Sequence, residues 1–367
     1  LTSRLAPIRF LLPGTTGRFR CGGLLVELQT ARLVASLPGR TVELVTYRQR
    51  EAEHPFLNDL LARERAPGQS LWVVSWGFDV PGLLRRLRGR PVAYHAHSSG
   101  YGFHLPPGVP VLAVSRNTLG YWGDRAPRNP LFLVPNALDG KWLARGARPG
   151  NALVPPPVVG ERRPIDVLVQ QRKCSAYVLH QLVPALRALG LRVEVQSGWV
   201  DDLVDLFNAA SVYLYDSADY WRGRGVSEGF GLPPLEAMAC GCVVFSSLNH
   251  ALADQLDPGI LGHQIGCGSL TYDVERIAAA AADPWPWLGD QERLERRLQE
   301  YSEARLLERW SAVLGSLEQM SRHIKPAESQ GASPPLRSPS LWSLRLHETQ
   351  VRLARVAKRL PGWPTRR

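Results

Sequence analysis

Residues 225–241 read GVSEGFGLPPLEAMACG, with Glu228 and Glu236 eight positions apart, glycines on both sides of Phe230 and a Pro-Pro pair between the acids. The run lies between two strand-like segments, SVYLYDS (211–217) and CVVFSS (242–247). Pro233 and Pro234 suit the first turn of a helix and Gly241 suits its end, so the order is strand, loop, helix, strand. The loop from Asp216 to Leu232 then sits at a strand's carboxyl end. Open α/β sheets bind ligands there, and the helix points its N–H groups and positive dipole end at the same space. Gly229 and Gly231 have no Cβ, which lets backbone amides approach a phosphate closely. A bare carboxylate beside that phosphate would be repelled, so the two acids call for a different partner. Sugar hydroxyls fit, because an ionised carboxylate can accept two adjacent O–H donors. A ligand with a sugar on each side of a diphosphate uses the whole run: Glu228 takes one sugar, Gly229, Phe230, Gly231 and Leu232 line the phosphates, and Glu236 takes the other sugar.

Working outward, PIRFLLPG (7–14) reads as a strand, GTTGRFRCGG (14–23) as a glycine-bearing loop and LLVELQTARLVASL (24–37) as a helix. Strand-like runs follow at TVELVTY (41–47), SLWVVSW (70–76), RPVAYHAH (90–97), VPVLAVS (109–115) and LFLVPN (131–136). Several are separated by enough residues for a helix, the alternation of a parallel sheet covered on both faces. After VPNALD (134–139) the pattern restarts with IDVLVQ (165–170), a helical segment, LRVEVQSG (191–198), a second helical segment and the strand before the opening run. The expected division is a first α/β domain over 1–135, a second over 136–324 that includes the amphipathic helix near 290–320, and a basic Ser/Pro-rich tail over 325–367.

With 367 residues, 44% hydrophobic and 21% charged, the chain has the composition of an ordinary folded protein with ample core. Five cysteines, Cys240 and Cys242 among them, form neither a disulfide framework nor a metal-ligand spacing. No apolar run approaches the roughly 20 residues that cross a bilayer, and LTSRLAPIRF lacks a signal-peptide core, so the expected location is the cytoplasm. Of the formal charge of +11, residues 325–367 carry +7, nine Lys or Arg against two Glu. Within that tail Trp342, Leu346, Leu353, Val356 and Leu360 share one helical face, flanked by Arg345, Arg352, Arg355 and Arg359. Residues 341–360 therefore suit either an anionic membrane surface or the protein's own body. No nucleic-acid module is visible, and none is expected as a partner.

The run EGFGLPPLEAMACG resembles the glutamate, seven residues, glutamate signature of retaining glycosyltransferases of the GT-B fold, in family four. LVDLFNAASVYLYDS (203–217) is similar to the helix and strand before that signature, and VPNALD to the opening of the family's second domain. The resemblance implies two Rossmann-like domains with parallel sheets facing an interdomain cleft. It implies transfer of a hexose from a nucleotide-diphosphate sugar to an acceptor hydroxyl on a glycan, lipid or small molecule, with configuration retained and with no metal or cofactor. Residue by residue, Glu228 would bind the transferred sugar, Gly229, Phe230 and Gly231 would line sugar and diphosphate, and Glu236 would hold the ribose. Gly22 and Gly23 match the glycine loop after the first strand, which faces the donor's diphosphate and the acceptor. His97 matches the histidine near the donor sugar, with His95 and His104 as rivals. The family's phosphate-binding Arg and Lys stand about five positions apart. Here VQQRKCSAY (169–177) has Arg172 and Lys173 adjacent, without the usual glycine. DSADYWRGRGVSEGF (216–230) is longer than the family's loop, and Arg222 and Arg224 within it can reach for phosphate or acceptor. Two alternatives stand beside transfer: a GT-B-fold sugar-nucleotide epimerase, and a catalytically silent sugar-nucleotide-binding protein. A nicotinamide dehydrogenase is disfavoured, since no G-x-G-x-x-G follows the first strand.

Overall fold

The computed structural model describes residues 7–64, 70–156, 161–198, 200, 202–266, 269–323, 349 and 353. The described chain divides into two compact units, the first taking residues up to Asn136 and those from Leu306 to His323, the second Ala137–Arg305.

The first unit is a six-stranded parallel sheet of β1 (Ile8–Leu12), β2 (Val42–Thr46), β3 (Leu71–Val74), β4 (Val92–Ala96), β5 (Val111–Ala113) and β6 (Leu131–Leu133). Its order is β2-β1-β3-β4-β5-β6. The second unit holds β7 (Ile165–Gln170), β8 (Val193–Gln196), β9 (Ala210–Tyr215), β10 (Val243–Ser246) and β11 (His263–Gln264), ordered β11-β10-β9-β7-β8 and also parallel. Each of the ten strand runs read from the sequence forms a strand. β11, two polar residues paired with Phe245 and Ser246, has no apolar run to announce it. β1, β9 and β10 are buried along their whole length, which is why they read as continuous apolar runs rather than alternating ones. A parallel sheet with helices on both faces leaves no wet side for alternation to mark.

Each sheet has one place where the strand order reverses. In the first unit it falls between β1 and β3, and in the second between β7 and β9. At such a point the connections leave in opposite directions, opening a crevice at the carboxyl edge. Four helices carry or support residues at these edges: α1 (Gly22–Ala35), α2 (Ala218–Arg224), α3 (Leu232–Ala239) and α4 (Glu303–His323).

The expected second domain over 136–324 is corrected at its far end. From Leu306 to His323 the chain belongs to the first unit. The anchor is Trp310 on α4, fully buried, whose ring lies 5.6 Å from that of Phe10 on β1 and 5.4 Å from that of His95 on β4. An amphipathic helix shows that it buries one face but not which sheet receives it. Among the described residues no helix is long and apolar enough to cross a membrane. The amphipathic stripe of 341–360 lies outside the described residues, apart from 349 and 353.

Replacing Trp310 with alanine removes the aromatic that joins α4 to β1 and β4. The expected loss is about 3–5 kcal/mol of first-unit stability, read as a lowered denaturant midpoint. A midpoint equal to that of the unsubstituted chain would refute the assignment of α4 to this unit's core.

Candidate functional site

In the second unit the crevice edge is built from the ends of β7 and β9 and the start of α3. β9 ends at Tyr215, and the chain then forms α2, so the expected loop from Asp216 to Leu232 contains a helix. It returns through buried Val226, Ser227 and Glu228 to Gly231, which precedes α3. Gly231 is obligatory: its φ is +87°, and a Cβ would stand 2.4 Å from Leu252 Cδ2. α3 starts at Leu232, with Pro233 and Pro234 in its first turn, where missing N–H groups cost nothing. Phe230 is buried and packs edge-on against Tyr301 at 5.2 Å, so its ring belongs to the core and only its backbone faces the edge.

Glu228 is 5% exposed. Its Oε2 accepts from the Tyr215 hydroxyl at 2.6 Å and from Trp221 Nε1 at 2.7 Å, while Lys173 Nζ stands 3.6 Å from Oε1. Burial, and then the Glu228 charge, hold the Tyr215 hydroxyl well above its ordinary pKa, so it stays a donor. Lys173 Nζ also lies 4.6 Å above the Trp221 ring, which closes a compact group of acid, cation, phenol and indole.

Arg172 and Lys173 follow β7 but diverge. Arg172 is exposed, whereas Lys173 turns toward the glutamates with a left-handed backbone, φ +69°. That conformation favours glycine, and a lysine holding it carries strain on the order of 1 kcal/mol. Arg222 and Arg224, expected to reach for phosphate or acceptor, are both exposed. Arg222 pairs with Asp219 at 2.7 Å, and the Arg224 guanidinium covers the Tyr220 ring. Trp221, between them, is the residue of α2 that faces Glu228.

Glu236, in the second turn of α3, is only partly buried by surface, yet protein surrounds it densely. That burial pushes its carboxyl up to about 7; Lys141 and Lys173 pull it down, and Asp139 adds to the rise. The charge of Lys173 thus bears on both glutamates of the opening run.

In the first unit Gly22 and Gly23 do not form a loop. They are the first two residues of α1, behind an extended Cys21. Neither takes a positive φ; a Cβ on Gly22 would meet nothing within 4 Å, and one on Gly23 would meet only Cys21 Sγ at 4.0 Å. Chain packing therefore does not demand glycine there, and the bare helix end leaves room for a ligand. His97 follows β4. Its Nε2 lies 2.8 Å from Glu27 Oε2, and His95 Nδ1 lies 2.8 Å from the same oxygen. Glu27, on α1, was not singled out by the sequence, although an acid inside the apolar run LLVELQTARLV was its visible signal. Burial works to raise the Glu27 carboxyl, but the two imidazoles outweigh it and hold the acid below its usual range. Cys240 and Cys242 are buried, as small core residues.

The lower half of the chain supplies the decisive comparison. Residues 181–305 match the family model of glycosyl transferases group 1. The matched stretch holds Glu228, Glu236, α2 and α3, and it bears out the likeness to glycosyltransferases read from the signature. Among solved structures, sucrose-phosphate synthase from Thermosynechococcus elongatus is similar at 15% identity with a TM-score of 0.63, covering 86% of this chain and 100% of that one. HepE of Anabaena, solved in complex with UDP and glucose, is similar at 15% identity with a TM-score of 0.58, covering 85% and 100%. A lipopolysaccharide outer core galactosyltransferase, WaaB, gives 13% identity and a TM-score of 0.57, covering 84% and 99%. No curated protein matches the chain. The fold is GT-B, two Rossmann-like α/β units.

The raised carboxyl of Glu236 has a measurable consequence. An unfolded glutamate titrates near 4.5, so the folded chain bears a growing penalty as pH rises from there through about 7. Glu236→Gln removes it. Between pH 5 and pH 8 the wild type should lose stability relative to this variant in denaturant titrations, and parallel curves would contradict the environment described for Glu236.

Proposed function

We propose that this protein is a glycosyltransferase that moves a hexose from a nucleotide-diphosphate sugar to an acceptor hydroxyl, with retention and without a metal. The observation that carries the reading is Lys173, set beside Glu228 and acting on Glu236, at the reversal of strand order between β7 and β9. A cation between two sugar-binding acids matches a diphosphate between two sugars. Glu228 Oε1 accepts a hydroxyl of the transferred sugar. The ribose hydroxyls donate to ionised Glu236, and the amides from Gly229 to Leu232, at the head of α3, lie along the diphosphate. As the glycosidic C–O bond breaks, charge gathers on the departing diphosphate, and Lys173 with the α3 N-terminus is preorganised to stabilise it, with exposed Arg172 reaching in from solvent. The first unit would take a carbohydrate or lipid-linked acceptor, with Gly22 and Gly23 facing the diphosphate and acceptor and His97 beside the donor sugar. The basic stripe of 341–360 would hold the enzyme at an anionic membrane surface facing the cytoplasm.

One observation favours a second reading, a sugar-nucleotide-binding protein without transfer. Tyr215 and Trp221 already occupy Glu228 Oε2, which leaves a single carboxylate oxygen for the sugar.

Screening UDP-, GDP-, ADP- and TDP-sugars by thermal shift should find at least one donor that raises the melting temperature. With that donor, Glu228→Ala and Lys173→Ala should each lower transfer by about 100-fold or more, and Arg172→Ala by less. Because ribose hydroxyls need the ionised acid, nucleotide affinity should strengthen as pH rises through about 7 in the wild type and stay flat in Glu236→Gln. If no sugar nucleotide shifts melting, binding is refuted. If one binds but nucleoside diphosphate is never released with any acceptor, the second reading holds.

A further inference from the structure

We infer that Glu27 is a positioning residue: it holds His95 and His97 in opposite tautomers, so that His97 meets a ligand through Nδ1 and His95 is withdrawn from chemistry. This deepens the proposed function and takes its catalytic meaning from it, but its geometric basis lies wholly in the first unit.

The protons around one oxygen decide both tautomers. Glu27 is fully buried, and both rings approach its Oε2, His95 by Nδ1 and His97 by Nε2, each at 2.8 Å. An ionised carboxylate can only accept, so each ring must present an N–H at the approaching nitrogen. His95 is thereby the Nδ1–H tautomer. Its other nitrogen, Nε2, is buried without a partner, and the Trp310 ring stands edge-on at 5.4 Å. A proton on that nitrogen would be a buried donor with nothing to receive it, so His95 stays neutral and its pKa is lowered by that burial. His97 is the Nε2–H tautomer. Its side chain is 17% exposed, and Nδ1 has no partner among the described residues. With Nε2–H committed to Glu27, Nδ1 is the ring nitrogen that His97 has left to meet a ligand. The rivalry between two histidines on one side of β4 is therefore decided by a residue from α1.

The ligand atoms of Glu27, His95 and His97 lie within 4.8 Å of one another, a spacing that a divalent cation can also span. The two occupants differ in protons, because a cation would strip both nitrogens that face Glu27.

Long-range 1H–15N correlation of the histidine rings in the full chain at neutral pH tests this, with His95→Asn and His97→Asn assigning the signals. The expected spectrum has His95 protonated at Nδ1 and His97 at Nε2. In Glu27→Gln the neutral amide can turn either its oxygen or its NH2 group to the rings, so the Nε2–H tautomer of His97 is no longer enforced and its pure pattern should be lost. With a donor identified by thermal shift, kcat should fall about tenfold or more while donor affinity, set in the second unit, changes little. Glu27→Asp, which keeps the charge, should recover part of kcat. A wild-type His97 protonated at Nδ1, a His97 pattern unchanged by Glu27→Gln, or stoichiometric zinc bound by the three residues would each overturn the inference. The wild-type spectrum decides it even if Glu27→Gln fails to fold. It needs no sugar nucleotide, so a chain that binds no donor would overturn the functional reading alone.

Discussion

A carboxylate taken out of water must be met by hydrogen-bond donors or by positive charge, or it gives up its ionised form. Three acids at the carboxyl edges of the two sheets answer that constraint differently. Glu27 is met by two imidazoles, both at Oε2, and stays ionised although nothing of it reaches solvent and Oε1 has no partner. Glu228 is met by a phenol, an indole and a lysine. Glu236 is surrounded but poorly supplied, and its carboxyl rises to about 7. The first two are arranged around their donors before any ligand arrives. The third, like Oε1 of Glu228, retains accepting capacity for donors that the protein does not provide, as a site for hydroxyl groups requires.

The scaffold makes those positions available. Parallel strands put every carboxyl end on one edge, and the reversal of strand order opens a crevice there in each unit. Within the second unit β7 delivers Lys173, β9 delivers Tyr215, and the return from α2 delivers Glu228 against both. The left-handed backbone at Lys173 belongs to the same economy, since local strain is accepted where it aims a charge at two acids. α2 shows how a lengthened connection is absorbed: its arginines stay in solvent and its tryptophan turns inward onto Glu228.

Much of this was legible in the chain itself. The run GVSEGFGLPPLEAMACG fixed a turn, a helix start, a helix end and two acids through local stereochemistry, because glycine at positive φ, proline in a first helical turn and glycine after a last one depend on the backbone nearby. Apolar runs placed ten strands for the same reason. β11 escaped because two polar residues carry no hydrophobic signal, and α2 because its seven residues are dominated by charged and aromatic side chains.

Other features depend on residues distant in sequence, and there the linear pattern was silent. The helical stripe read near 290–320 marked a buried face, but the sheet that buries its second part was decided by Trp310 meeting Phe10 and His95, both remote from it along the chain. An acid in LLVELQTARLV looked like one charge in an amphipathic helix until β4 brought two histidines to it. Local backbone preference and the presence of an acid-glycine-acid signature were thus set by the sequence alone. Which of two adjacent cations faces the acids, which of two histidines keeps a free nitrogen, and which glutamate is left short of donors were set only by tertiary structure, because hydrogen bonding and desolvation act over a few ångströms regardless of separation along the chain.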